Sequence, residues 1–467
     1  MFVELDRNSA IPVKKQLYDA ITSKILRGEL AEGEKLPSTR ELADRLNIAR
    51  NSVIEIYEQL VSEAYLETIG GRGTFVCGGR GGLAGNGVQQ ERKRPERAIK
   101  KGIIDFGCGV PDLGTFPRRA WLRALKESLD STEDSELGYA SALGYRPLRR
   151  SLAQYLMKYK GISCSYEQVV IVNGTSDAIV LLALLFRYTI ARIIIESAVV
   201  SFVPDIFREF GYGIVPVKID RYGVCTGDLP DMENGLIFTS PSHQFPLGGT
   251  LSAERRRKLA DYAKVRGHYI VEDDYDSEFR YAGAPVNSLF QLAPENVIHL
   301  GTFSKTLAPF LRLGYIVLPK QLVPRVKKLQ SLLYRRVGTH AQMALNCLLE
   351  NGIYAKHVNT VCKLYKRKML TITDALRREF GDTVEALGVN SGLHIAVVFP
   401  NSIFDSKSRK VFLHNEVDVE LLSDYTIEKQ ENCDTLILGF GHLSEAAISD
   451  GIRRLKAAAD ELSQVQK

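Results

Sequence analysis

Residues 297–315 read VIHLGTFSKTLAPFLRLGY, a short apolar run that leads directly to Lys305 and then to Arg312. Similar runs rich in Val and Ile occur earlier in the chain, at 169–173, 191–196, 235–240 and 268–274. Helical patterns such as residues 253–267 separate several of them. Because strands and helices alternate, the sequence predicts an α/β domain with a mostly parallel sheet.

The loops after these strands are where we search for a ligand, because parallel sheets bind ligands at the carboxyl ends of their strands. VEDDYDSEF (271–279) places acidic side chains at the end of a strand, where a buried carboxylate needs a cationic partner. NGTSDAIVLL (173–182) opens a helix, and a helix N-terminus suits a phosphate group. Together with Lys305, these groups are the ones that pyridoxal 5'-phosphate requires for a Schiff base, a protonated ring nitrogen and a held phosphate.

The first 77 residues follow a different pattern. Residues 11–27 carry apolar side chains at helical spacing. In LPSTRELADRLNIARNSVIEIYEQL (36–60), Ser38 or Thr39 predicts the N-cap of one helix, and a short turn leads to a second. LETIGGRGTFV (66–76) then predicts two strands joined by a Gly-rich hairpin. This order predicts a winged helix-turn-helix.

Composition and charge limit the remaining possibilities. Residues 78–101 hold seven Lys/Arg against two Glu in a Gly-rich setting, which predicts a flexible basic linker. Its charge indicates either simple solvation or attraction to phosphate. The seven cysteines form no CxxC pair, so we expect no metal site and no disulfide framework. The N-terminus lacks a signal-peptide pattern, and we expect a cytoplasmic protein.

Over roughly residues 9–77, the chain resembles the winged-helix domain of the GntR family. Residues 1–77 contain ten Lys/Arg and twelve Asp/Glu, so the placement of the arginines, not net charge, indicates nucleic-acid binding. The resemblance implies double-stranded operator DNA as a partner. It also implies six DNA-contacting residues: Arg40, Arg50, Asn51, Ser52, Arg72 and Gly73.

Residues 102–467 resemble the class I aminotransferases of fold type I, which depend on pyridoxal phosphate. The stretches that carry this resemblance are IDFGCGVPDLGTFPRRAW (104–121), TSPSHQFPLGG (239–249) and EDDYDSEF (272–279). The fold implied is a large α/β domain with a mostly parallel sheet and a small α+β domain. A GntR-type domain, a linker and this domain, in that order, resemble the MocR/GabR transcription regulators.

The resemblance implies roles for individual residues. Lys305 is implied as the Schiff-base lysine, Asp273 as the partner of the pyridine nitrogen and Tyr275 as the partner of the ring oxygen. His243 and Gln244 correspond to the place of an asparagine near the ring. The implied phosphate site consists of Gly174, Thr175, Thr302, Ser304 and Arg312, with Tyr139 reaching the phosphate of a neighbouring subunit. Shared sites of this kind imply a head-to-tail homodimer.

Two positions of the implied effector pocket depart from the aminotransferase pattern. Val200 stands where an aromatic residue stacks on the pyridine ring, and Phe202 lies two residues further on. His442 stands where an arginine grips the substrate carboxylate as a bidentate fork. Phe202 also replaces the arginine of relatives that sense 4-aminobutyrate. His442 is either a neutral core residue or part of a pocket for a different effector.

These features predict a regulator that binds operator DNA as a dimer and responds to pyridoxal phosphate, an amine or an amino-acid-like effector at Lys305. Two alternatives stay open. One is an active class I aminotransferase with a DNA-binding appendage, and the other is a DNA-binding dimer with a cofactor-free platform. Because the carboxylate clamp is weakened, we expect no efficient transaminase turnover.

Overall fold

The structure is a computed structural model that describes residues 6, 11–77, 102–139, 141–283, 287–333, 337–400, 402–428 and 433–465. The chain divides into two compact units, Met1–Ala98 and Ile99–Lys467. The linker predicted at 78–101 lies outside the described residues. In the described part of the chain, no helix is long and apolar enough to cross a membrane.

The first unit consists of three helices and a two-stranded hairpin within its described residues. They are α1 (Val13–Leu26), α2 (Thr39–Leu46), α3 (Arg50–Ser62), β1 (Leu66–Ile69) and β2 (Gly73–Val76). Ser38 is the N-cap of α2, since its side chain accepts a hydrogen bond from the Glu41 amide at 3.2 Å. Asn47 ends α2 with a φ of 49°, which turns the chain toward α3.

The apolar faces of these helices meet in one small core. Leu17 and Ile21 of α1 are fully buried, as are Val53 and Leu60 of α3. β1 pairs antiparallel with β2 from Leu66↔Val76 to Ile69↔Gly73. The predicted helix-turn-helix and its wing are therefore confirmed.

The second unit is built from a large sheet, a smaller sheet and the helices around them. Its helices are α4 (Arg118–Asp130), α5 (Arg146–Lys160), α6 (Thr175–Phe186), α7 (Phe202–Glu209), α8 (Ala253–Arg266), α9 (Leu289–Leu292), α10 (Val323–Leu333), α11 (Thr339–Glu350), α12 (Ile353–Phe380), α13 (Ser408–His414) and α14 (Glu445–Val465). Its strands are β3 (Ile104–Asp105), β4 (Val169–Val172), β5 (Arg192–Glu196), β6 (Gly213–Val217), β7 (Ile219–Asp220), β8 (Gly223–Val224), β9 (Leu236–Thr239), β10 (Tyr269–Asp274), β11 (Val297–Thr302), β12 (Gly314–Val317), β13 (Glu385–Leu387), β14 (His394–Val398), β15 (Val417–Asp418), β16 (Glu420–Leu421) and β17 (Thr435–Gly439).

The large sheet has the strand order β4-β12-β11-β10-β9-β5-β6. The five runs predicted as strands are β4, β5, β9, β10 and β11, and the pairs among the last four are parallel. β12 is the exception, since it pairs antiparallel with both β11 and β4. Apolar clusters cover both faces of the sheet, as expected for parallel strands. The mostly parallel sheet is therefore confirmed.

The smaller sheet is antiparallel, with the order β13-β14-β17-β16. It packs through a third apolar cluster against α12 and α14. β3 pairs in parallel with β15, which attaches the beginning of this unit to the smaller sheet. The segment after β3 consequently starts near the smaller sheet and continues toward the loops of the large one.

Candidate functional site

Lys305 lies in the loop just after β11, at the carboxyl edge of the large sheet. Its Nζ donates a hydrogen bond to the carbonyl of Gly109. Burial lowers the pKa of Lys305, although the negative charges of Asp276 and Asp273 oppose that effect. A lowered pKa leaves more of the amine unprotonated and therefore nucleophilic.

Two buried acids lie at the same edge of the sheet. Asp273 is the penultimate residue of β10 and is 7% exposed. Burial, followed by the charge of Asp274, raises the pKa of Asp273 to about 7. Glu196 ends β5, and burial raises its pKa to about 7 as well. The side chains of Thr239 (2.6 Å) and Gln244 (3.1 Å) donate hydrogen bonds to Glu196. A cationic ring beside these acids would stabilise their charged forms.

Tyr275 and His243 form a hydrogen-bonded group next to Asp273. The Tyr275 hydroxyl donates to the His243 carbonyl at 2.9 Å and lies 3.2 Å from His243 Nδ1. That nitrogen is 2.9 Å from Asp276 Oδ2. The ring of His394 packs against His243 with the ring centroids 4.6 Å apart. Asp276 therefore fixes the orientation of the histidine that faces Tyr275.

A second group of residues surrounds the N-terminus of α6. Gly174 precedes this helix with φ 86° and ψ −179°, a conformation essentially restricted to glycine. A Cβ at Gly174 would lie 3.3 Å from Nη2 of Arg312. The same Nη2 donates to the Asn173 carbonyl at 2.7 Å and to Ser176 Oγ at 3.2 Å. Arg312 and the first turn of α6 therefore form a cationic cradle.

β12 brings the loop after β11 beside this cradle. A Cβ on Gly314 would lie 3.0 Å from both the Cα of Gly174 and the carbonyl of Gly301. At the end of β11, Thr302 Oγ1 donates to Ser304 Oγ at 3.1 Å and accepts from the Ser304 amide at 3.1 Å. Thr175 is the first residue of α6. The residues predicted to hold a phosphate therefore lie on adjoining loops.

The remaining predicted pocket residues are more dispersed. Val200 and Phe202 are half-buried and pack against the apolar core on the α6 side of the sheet. His442 is half-buried in the turn after β17. Tyr139 is 97% exposed in the single chain. Because the structure contains one chain, the role of Tyr139 at the phosphate of a neighbouring subunit stays a prediction.

Sequence reasoning missed several acidic and histidine side chains in the region of Lys305. Glu196 ends a predicted strand, so the rule that identified Asp273 could have identified it too. Asp276 lies within the acidic stretch 271–279, where no local pattern separates it from its acidic neighbours. His394 and Glu420 belong to the smaller sheet, far along the chain, and no local pattern signals their proximity.

The first unit presents a separate surface with exposed basic side chains. Arg40 in α2, Arg50 in α3 and Arg72 in the wing are exposed, as are Asn51 and Gly73. Within the described residues, none of these three arginines pairs with an acidic side chain. Other cations of this unit do so: Arg45 pairs with Glu41 at 2.6 Å, and Lys24 with Glu29 at 2.9 Å. Ser52, also predicted to contact DNA, is half-buried in the first turn of α3.

Comparisons with known proteins identify both units. Residues 13–76 match the family model of bacterial regulatory proteins, gntR family, and residues 101–427 match that of aminotransferase class I and II. The HTH-type transcriptional regulator YdeL of Bacillus subtilis is 34% identical over 97% of this chain and 98% of its own. The probable rhizopine catabolism regulatory protein MocR of Rhizobium meliloti is 30% identical over 97% of this chain and 95% of its own. A solved structure of a multiple substrate aminotransferase from Thermococcus profundus is 26% identical with a TM-score of 0.72, over 78% of this chain and 93% of that one.

Proposed function

The chain belongs to the MocR-type transcriptional regulators, in which a GntR helix-turn-helix domain precedes an aminotransferase class I and II domain, and on this basis we propose that it binds operator DNA as a dimer and changes its binding when an amine ligand reaches Lys305. Lys305, Asp273 and Tyr275 lie together at one edge of the large sheet, and this convergence is the main support for the proposal.

DNA binding rests on the exposed arginines of the first unit. Arg50 and Asn51 lie in the first turn of α3, the position from which a recognition helix reads base edges in the major groove. In this proposal, Arg40 and Arg72 contact phosphates on either side of it. The acidic groups elsewhere in this unit keep its net charge low, so binding depends on these few side chains.

Pyridoxal phosphate fits the residues around Lys305. Burial raises the pKa of Asp273 to about 7. A protonated pyridine nitrogen would supply the positive charge that stabilises this buried carboxylate. Arg312 and the N-terminus of α6 offer donors for a phosphate. Gly174 leaves room beside Arg312, because a Cβ there would stand 3.3 Å from its Nη2.

The residues around Lys305 would have separate roles toward a bound cofactor. When bound, pyridoxal phosphate supplies an aldehyde carbon that can exchange one amine for another. Lys305 would provide the resident amine, and Asp273 would hold a proton at the ring nitrogen. The Tyr275 hydroxyl, which lies against His243 and Asp276, would turn its proton from the His243 carbonyl to the ring oxygen.

Regulation, not turnover, is the function that this pocket suits. Val200 offers no aromatic ring for stacking, and His442 cannot make the two-pronged bond by which arginine orients a carboxylate. Without that clamp, amine exchange proceeds, but the alignment required for transamination is weakened. An effector that favours one arrangement of the second unit would then shift DNA affinity by linkage.

A dimer is part of the proposal because the site lies beside exposed apolar surface. Phe310, two residues before Arg312, is 68% exposed and contacts Phe116, with the ring centroids 5.2 Å apart. Leu113, Leu137 and Tyr139 are also exposed. Exposed apolar surface of this kind is typical of an interface, and sedimentation equilibrium would measure the assembly.

DNA binding can be tested by selection from random duplexes. The full-length protein would select ligands from a random duplex library, and fluorescence anisotropy would measure affinity for the selected sequence. Arg50→Ala should reduce affinity at least tenfold, whereas Lys24→Ala, which removes a cation paired with Glu29, should not. Failure to enrich any sequence, or equal effects of the two variants, would refute this part of the proposal.

A further inference from the structure

Residues 107–112, which we call the strap, join the reactive lysine to an acidic side chain of the smaller sheet. The Gly109 carbonyl accepts the hydrogen bond from Lys305 Nζ. The neighbouring amide of Cys108 donates to Glu420 Oε2 at 3.1 Å. Glu420 begins β16 and is half-buried. A carboxylate is therefore held one residue along the strap from the contact made by the lysine.

Aromatic side chains surround this carboxylate. The Tyr425 hydroxyl donates to Glu420 Oε2 at 2.5 Å. The Phe245 ring packs edge-on against Tyr425 and His394, with centroid distances of 4.7 and 5.0 Å. Phe245 also lies 6.4 Å from the Tyr275 ring. Phe245, Tyr275, His394 and Tyr425 thus form a continuous aromatic wall between the loop after β10 and Glu420.

The charges around this wall favour a cation. Asp276 adds negative charge on the side of Lys305, and Asp273 and Glu196, with pKa values of about 7, are partly ionised near neutral pH. Burial lowers the pKa of His394 well below its ordinary value, so that its ring is neutral. Within the described ranges, no arginine or lysine forms a hydrogen bond to a side chain of the aromatic wall, and Arg312 lies in the cationic cradle. A ligand carboxylate would meet negative charge here, whereas an ammonium group would be attracted by both Glu420 and the aromatic rings.

We propose that the effector is a diamine whose second ammonium group binds to Glu420 alongside the aromatic wall. The inference rests on the proposed function, since the first amine of the same molecule engages the Lys305 site. In that step a carbon–nitrogen bond to the effector forms as the bond to Lys305 breaks. Lys305 leaves as a free amine, and no electrons are gained or lost.

The test compares three four-carbon amines on the full-length protein loaded with pyridoxal phosphate. They are butane-1,4-diamine, butylamine and 4-aminobutyrate, which carry a second ammonium, no second charge and a carboxylate, respectively. The readouts are the change in the visible absorption spectrum and the anisotropy of selected DNA. We expect the diamine to reach half-saturation at a concentration at least tenfold lower than either of the others.

Variants separate the role of Glu420 from a general loss of structure. Glu420→Gln should raise the half-saturating concentration of the diamine about tenfold and leave that of butylamine unchanged. Tyr425→Phe keeps the ring and removes the hydroxyl that donates to Glu420, so the preference for the diamine should persist. Glu428→Gln, at an exposed acidic position in the following loop, is the matched control and should change nothing.

The outcomes distinguish this inference from the function on which it rests. If pyridoxal phosphate gives no Lys305-dependent absorption band, the proposed function fails and the diamine inference fails with it. If the band appears and amines change it, but 4-aminobutyrate acts as well as the diamine, only the diamine inference is overturned. An equal effect of Glu420→Gln on all three amines would also overturn it.

Discussion

Asp273→Asn should make the cofactor-free protein more stable and, at the same time, weaken cofactor binding. The Asp273 carboxyl is buried beside other acids, and its pKa rises from an ordinary 3.8 to about 7. Each pKa unit corresponds to about 1.4 kcal/mol. Keeping this carboxylate charged in the folded protein at pH 8 therefore costs about 4 kcal/mol. Asparagine has a similar shape and no charge, so it removes that cost.

The pH dependence follows from the direction of the shift. Between about pH 4 and pH 7 the folded protein binds a proton at Asp273 that the unfolded chain has released. The contribution of Asp273 to the free energy of unfolding therefore falls as pH rises through this range and is constant above it. The stability gained by Asp273→Asn should be about 3 kcal/mol larger at pH 8 than at pH 5.

Urea unfolding of the second unit at both pH values, without cofactor, measures this difference. Asp261→Asn removes a charge from the exposed face of α8 and is the matched control, for which no such pH dependence is expected. Added pyridoxal phosphate should then stabilise the native protein and the control more than Asp273→Asn, because only they hold the ring nitrogen. Equal pH dependence of Asp273→Asn and the native protein, or equal stabilisation of the two by the cofactor, would contradict this prediction.

Three further substitutions test the local geometry. Gly174→Ala should lower the free energy of unfolding by about 1–3 kcal/mol, because the backbone conformation at this position is essentially restricted to glycine. It should also weaken pyridoxal phosphate binding, and an unchanged absorption titration would contradict this. Ser38→Ala removes the N-cap of α2 and should lower the stability of the first unit by about 1 kcal/mol. Hydrogen exchange at the Glu41 amide should become faster, and an equal exchange rate would count against the cap. Gly439→Ala would place a Cβ 2.5 Å from the Gly107 carbonyl and 2.8 Å from the Cys108 Cα, which displaces the strap. It should therefore alter the Lys305-dependent absorption band, and an identical spectrum would show that the strap does not act on the lysine.

Local sequence signals were sufficient to predict the first unit and the strands that carry the site. Ser38, the turn at Asn47 and the Gly-rich hairpin are each determined by residues within a few positions. The five apolar runs predict strands because buried parallel strands are apolar on both faces. Asp273 and Lys305 could be placed together for the same reason, since both lie where strands end at the carboxyl edge of the sheet.

Other features depend on contacts between distant parts of the chain. β12, GYIV at 314–317, is apolar like its neighbours, and nothing in its composition distinguishes antiparallel from parallel pairing. Glu420 contacts the strap only because the smaller sheet places β16 beside it. The proximity of His394 to His243 likewise depends on how β14 packs against the loop after β9. Such contacts leave no periodic signal in the sequence.

DNA binding by Lys305→Ala, with and without pyridoxal phosphate and amine, would show whether Lys305 couples the ligand to the operator. Anisotropy of the selected operator would be recorded for the native protein and the variant at one salt concentration. We predict equal DNA affinity for the two proteins without ligand, and a change on adding ligand only for the native protein. A variant that still responded to ligand, or that failed to bind DNA while remaining folded, would contradict the account.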